Sequence, residues 1–221
     1  MTTLFPSLIQ GDMPVWRAMS DRPVWQSAAW QAEGREVISE GSSIMTDDLE
    51  KLRYPIGRFK FPDNITQAQA KQWISEIEEL PRQLAKIVEP LDEDQLNSRY
   101  REGGWTVRQL VHHLFDSHVN SYVRFKLTLT EDTPTIKPYF EDRWAELPDN
   151  KLVPVQISLE LLINLHIRWA ALLKALSWED LQKEFYHPEN KRNVKLVQNL
   201  ALYAWHGKHH LAHVKLAVGG K

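Results

Sequence analysis

The sequence predicts an all-α protein, a four-helix bundle carrying a long crossover loop and a small hairpin. Three observations predict it. Past Pro62, apolar residues recur every three or four positions in four long stretches, the period of an amphipathic helix. Helix-start patterns punctuate them, including two capping boxes with Gln in the third helical position. One connection, residues 131–157, is much longer than the rest and holds Pro134, Pro138, Pro148 and Pro154. A connection of that length suits a crossover that lets the second and third helices run parallel.

The first helix is expected from Thr66 to about Val88, with Trp73, Ile74, Ile77 and Leu80 on one face. Pro81 is expected to bend or interrupt it. Asp92-Glu-Asp-Gln95 opens a short helical turn. Thr106-Val-Arg-Gln109 follows Gly103-Gly104, and Val107, Leu110, Val111 and Leu114 behind it begin a helix that should reach about Thr130. A third helix is expected from near Ser158 to about Leu176. Ser177 can cap a short helix over 178–183. Residues 185–194, with Pro188-Glu-Asn-Lys191 in their middle, suggest a hairpin. The final helix should span about Leu196 to Val218 and stop at Gly219-Gly220.

Residues 1–45 differ from the remainder. Trp16, Trp25 and Trp30 sit there among Gly, Ser, Pro and Gln with weak periodicity. The expectation is an N-terminal extension, loosely ordered or upstream of a natural start at Met45. The competing reading is an arm whose tryptophans pack on the domain formed by residues 46–221.

Composition narrows the function. The chain has 221 residues, 43% hydrophobic and 25% charged, as a globular protein does. A net charge of -2 without a basic cluster argues against nucleic acid. No apolar run approaches the ~18 residues of a membrane helix, and no secretory signal is visible, so no membrane partner and a cytoplasmic location are expected. The absence of Cys excludes disulfides, a catalytic thiol and thiolate metal sites. Any protein-held metal must take nitrogen or oxygen ligands.

There are nine His, and all lie after residue 111. His206, His209, His210 and His213 share the last helix within an arc of ~100°, together with Leu202 and Ala217, while Lys208 and Lys215 point away. Amphipathicity sends that arc inward. Burial keeps imidazoles neutral, and neutral imidazole is the form that ligates metal. Two i,i+4 pairs compete, His206/His210 and His209/His213, and spacing does not choose between them. A third ligand should come from another helix. His112, His113 and His118 are available there; His118 lies mid-stripe and His113 at the stripe's border with Ser117, Asn120 and Arg124. Asp116, Asn120, Arg124 and His187 are candidates for a pocket wall; a solvated face is the alternative for Asp116 and Arg124. A hydrogen-bonded structural cluster and a pH-sensing cluster compete with metal ligation. No general base is legible.

Four motifs carry a resemblance: Tyr54-Pro-Ile-Gly57, the run from Tyr100 to Lys126, Phe185-Tyr-His-Pro188 and the run from Leu202 to His213. In that order, over about residues 46–217, they resemble the DinB/YfiT-like metal-dependent hydrolases, most closely the YfiT subgroup. The resemblance implies a DinB-type four-helix bundle and three metal ligands, His113, His206 and His210. His209 and His213 then become supporting residues. It implies a homodimer and a small-molecule substrate. Zinc is the first expectation for the ion and nickel the second. The implied chemistry is hydrolysis by activated water. The alternatives are transfer of a low-molecular-weight thiol such as bacillithiol, as in some relatives, and a metal-binding bundle without catalysis. One departure is Lys195, where members often have Ser or Thr opening the last helix.

Overall fold

The protein is described by a computed structural model covering residues 48–219. The expected extension over 1–45 lies outside the described residues, as does Gly220. Residues 48–53 form a helical turn, α1. The long helices are α2 (Gln67–Val88), α4 (Val107–Thr130), α7 (Val155–Ala175) and α9 (Leu196–Gly219). Short helices α3 (Glu93–Leu96), α5 (Glu141–Trp144), α6 (Asp149–Leu152) and α8 (Trp178–Gln182) lie between them. Strands β1 (Glu184–His187) and β2 (Arg192–Lys195) pair antiparallel, with Phe185 opposite Val194.

Local chemistry fixes the starts. Thr66, Asp92, Thr106 and Ser177 each cap a helix, and each cap is closed reciprocally by the side chain three residues on. α7 begins at Val155, three residues before the expected start. Pro154 stands at its cap with φ -58, a value already suited to a helix entry. Ser158 therefore lies inside the helix, and its hydroxyl meets His112 Nδ1 at 2.7 Å.

α2 runs unbroken through Pro81, so of the expected bend or interruption the interruption does not occur. A proline has no N–H for the carbonyl four residues back, here that of Ile77. That carbonyl instead accepts from His166 Nδ1 at 2.6 Å. The bond missing from the helix is replaced from outside it.

Each of α2 and α4 packs against both α7 and α9, so the order around the bundle is α2, α7, α4, α9. Consecutive long helices α2 and α4 are thus diagonal. This order sets α4 beside α9, and α7 between α2 and α4. One apolar cluster surrounds Trp169, Phe125 and Phe185; a second surrounds Leu84, Leu110, Leu114 and Leu162. The crossover is tied down at both ends. Ile136 N–H donates to the Tyr186 carbonyl and Tyr186 N–H to that of Pro134, while Gln109 Nε2 donates to the Ala145 carbonyl and to Glu146.

Gly207 of α9 packs directly against Leu80 of α2. A Cβ there would stand 2.6 Å from Leu80 Cδ2, and Leu80 is itself buried. Gly207→Ala should therefore destabilise the fold by about 1–3 kcal/mol through overpacking, despite alanine's higher helix propensity. Urea unfolding checks this; a stabilised variant would show that Leu80 has room to move.

Candidate metal centre

The Thr106 cap sets the register of α4 so that His113, two turns in, faces α9. There His206 and His210 lie one turn apart on the inward face. One nitrogen from each of His113, His206 and His210 lies within 4.8 Å of the others. His113 Nε2 and His206 Nε2 are 3.3 Å apart. Zinc–imidazole bonds of 2.0–2.1 Å in a tetrahedron would place two ligand nitrogens about 3.4 Å apart, so this spacing fits an ion held between them. The donor set fits too, since the chain offers only neutral nitrogen here. His113 and His210 are buried and His206 is half-buried.

Burial keeps all three uncharged. It drives the His206 pKa down to about 3. It also carries His113 and His210 well below the usual histidine range, with neighbouring imidazoles adding to the shift. Trp105 packs on the His113 ring at 4.5 Å and on the His210 ring at 6.1 Å. Tyr203, three residues before His206, packs its ring 5.4 Å away.

A second trio, His209, His210 and His213, is equally compact and shares His210 with the first. Both i,i+4 pairs of the sequence thus join clusters. The partners differ, however. His213 Nε2 donates to the Arg53 carbonyl at 3.1 Å, and its Nδ1 lies 3.3 Å from His210 Nδ1. Tyr100 stacks on the His213 ring at 4.0 Å and Trp205 on the His209 ring at 4.4 Å. His209 Nδ1 is buried without a hydrogen-bond partner.

The remaining histidines of α4 diverge. His112 faces α7 through Ser158. His118 turns Nε2 to His206 Nδ1 at 3.1 Å and Nδ1 to His166 Nε2 at 2.9 Å. Sequence reasoning gave His166 no part in the site, because a single His on α7 carries no motif. Tyr203 and Tyr139 were also missed.

The four pocket-wall candidates separate into two places. Asp116 lies near Asp149, and burial with that second carboxylate pushes its pKa up to about 6. Asn120 Nδ2 donates to the Asp116 backbone carbonyl at 2.7 Å. Arg124 and His187 lie near one another, with burial and the Arg124 charge lowering the His187 pKa. Tyr139 of the crossover reaches the same region: burial raises its phenol pKa, its hydroxyl bonds Ser117, and Arg124 and Glu141 are close. Ser117 Oγ and the Tyr203 hydroxyl are 3.4 Å apart, which connects this polar wall to the His206 ring.

Comparison with known proteins agrees with this picture. Residues 76–214 match the DinB superfamily. A Bacillus cereus (strain 03BB102) protein named "Putative metal-dependent hydrolase" is 57% identical over 166 residues, covering 75% of this chain and 95% of that protein. A protein of the same name from Bacillus anthracis (strain CDC 684 / NRRL 3495) is 56% identical over the same shares. Among solved structures, YfiT from Bacillus subtilis, described as a probable metal-dependent hydrolase with an unusual four-helix bundle topology, superposes with a TM-score of 0.73 at 50% identity. It covers 75% of this chain and 94% of its own. On the family match and these identities together, the chain belongs to the DinB superfamily, in its YfiT-like branch.

Proposed function

We propose that this protein is a metal-dependent hydrolase whose divalent ion is held by His113, His206 and His210. The observation that carries the reading is the convergence of three uncharged imidazoles, one nitrogen of each within 4.8 Å of the others, with His113 and His206 at a spacing suited to tetrahedral coordination. Held by these three histidines, a divalent ion would supply acidified water and a Lewis acid for a substrate carbonyl. The chain supplies the rest. Trp105 shields the ligand rings from bulk water, which strengthens every polar interaction inside. Ser117, Tyr203 and Tyr139 offer hydroxyls that can hold a polar substrate group beside His206. The half-buried His206 marks the side from which a small molecule enters.

The same reading carries zinc ahead of nickel, a homodimer and a cytoplasmic setting. Among the described residues no helix is long and apolar enough to cross a membrane. Elemental analysis of untagged protein, followed by ester, amide and electrophile panels with and without an added low-molecular-weight thiol, tests the reading. Turnover with water alone is the expected result. Turnover only while the thiol is consumed would make the protein an S-transferase. Bound metal without turnover would leave a binding bundle, and no metal uptake would remove the site. With no Cys in the chain, the thiol assay has no background from the protein.

A further inference from the structure

Neutral imidazole carries one N–H, so a chain of hydrogen-bonded imidazoles has a direction. A backbone carbonyl can only accept, and one placed at the end of such a chain fixes the direction throughout. Two such chains end at the candidate ligands. In the first, the Ile77 carbonyl obliges His166 to carry its proton on Nδ1. His166 Nε2 must then accept from His118 Nδ1. His118 Nε2 is left to accept from His206 Nδ1, so His206 Nε2 is bare where it faces His113. In the second chain, the Arg53 carbonyl holds the His213 proton on Nε2. His213 Nδ1 then accepts from His210 Nδ1, leaving His210 Nε2 bare.

We propose that His166 and His118, anchored on the Ile77 carbonyl, and His213, anchored on the Arg53 carbonyl, are positioning residues that set the ligand tautomers of His206 and His210. Pro81 makes the first anchor available, because a residue with an N–H at that position would bond Ile77 within α2. The bundle order makes the chain possible, since α7 touches both α2 and α4. The trio His209, His210 and His213 is accordingly a support for one ion site and not a second site. Outer hydrogen bonds of this kind orient imidazole ligands and raise their basicity.

The affinity part of the test rests on the three-histidine reading above; the tautomer part uses metal-free protein and stands separately. Long-range 1H–15N correlation spectra of the full chain, chelator-treated at pH 8, report which ring nitrogen bears the proton. His118, His166, His206 and His210 should all be protonated on Nδ1, the minor form of free histidine, and His213 on Nε2. His206 or His210 protonated on Nε2 overturns the proposal before any variant is made. Zinc affinity, read by competition with a chromophoric chelator, should fall about 10–100-fold in His118→Phe. His118→Gln should recover most of it, because its amide can accept from His206 and donate to His166. Equal losses in the two variants, or none in His118→Phe, would reduce His118 to a packing role. One equivalent of bound zinc is expected; two would overturn the part given to His213.

Discussion

Metal-free protein should lose stability as the pH falls from 6.5 toward 4. Free histidine titrates near 6.5. In the folded chain burial lowers His166 to about 4, and burial with neighbouring imidazoles holds His113, His118 and His210 well below the ordinary histidine range. Between those values the unfolded chain binds more protons than the folded one, so stability falls with pH. It is fully present above about 6.5 and is lost progressively toward 4. At pH 5 a group lowered as far as His166 removes about 2 kcal/mol. These four are nearly inaccessible, between 0% and 8% exposed, so solvent screening gives little relief. The other three act in the same direction, against a whole stability of about 5–15 kcal/mol for an ordinary domain. Far-UV circular dichroism and tryptophan fluorescence against pH will show it. Excess zinc should move the midpoint to lower pH, because an ion bound only by the folded state stabilises it by mass action. A chelator-treated protein unchanged at pH 4 would falsify the burial argument.

The second large effect concerns the ligands. His113→Ala and His210→Ala should each lower zinc affinity by about a hundredfold to a thousandfold, since a structural zinc site of four ligands is worth roughly 10–16 kcal/mol. His209→Ala should leave metal content unchanged. This contrast separates the two trios, which share His210 and differ in His113 and His206 against His209 and His213. His209 reaches no other ring nitrogen by hydrogen bond and is held by stacking on Trp205. Metal lost from His209→Ala and retained in His113→Ala would move the ion to the other cluster. Thermal melts run with and without zinc distinguish a ligand defect from a folding defect: a ligand variant melts as the metal-free parent does.

Much of this architecture is legible locally. Reciprocal caps at Thr66, Asp92, Thr106 and Ser177 need only residues three apart, and the inward arc of α9 needs only its periodicity. The partner of that arc is another matter. Spacing leaves His206/His210 and His209/His213 equivalent, and the structure clusters both pairs; the resemblance alone singles out His113, His206 and His210. His166 is illegible for a physical reason. Its role depends on α7 lying between α2 and α4 and on a carbonyl freed by Pro81 on a different helix. Pro81 is legible as a helix breaker, but its local rule points the wrong way, because a tertiary bond replaces the missing one. Tyr139 belongs to a proline-rich connection whose path is set by pairing with the hairpin, not by any period of its own.

The bundle order also governs when the site can exist during folding. His113 and His206 are separated by 93 positions, so the helix carrying His206 and His210 leaves the ribosome well after the helix carrying His113. Closing so long a loop is entropically slow, and no two ligands from different helices meet until α9 has docked. On the proposed reading, ion capture would follow the docking of α9, and metal retention would then report completed folding.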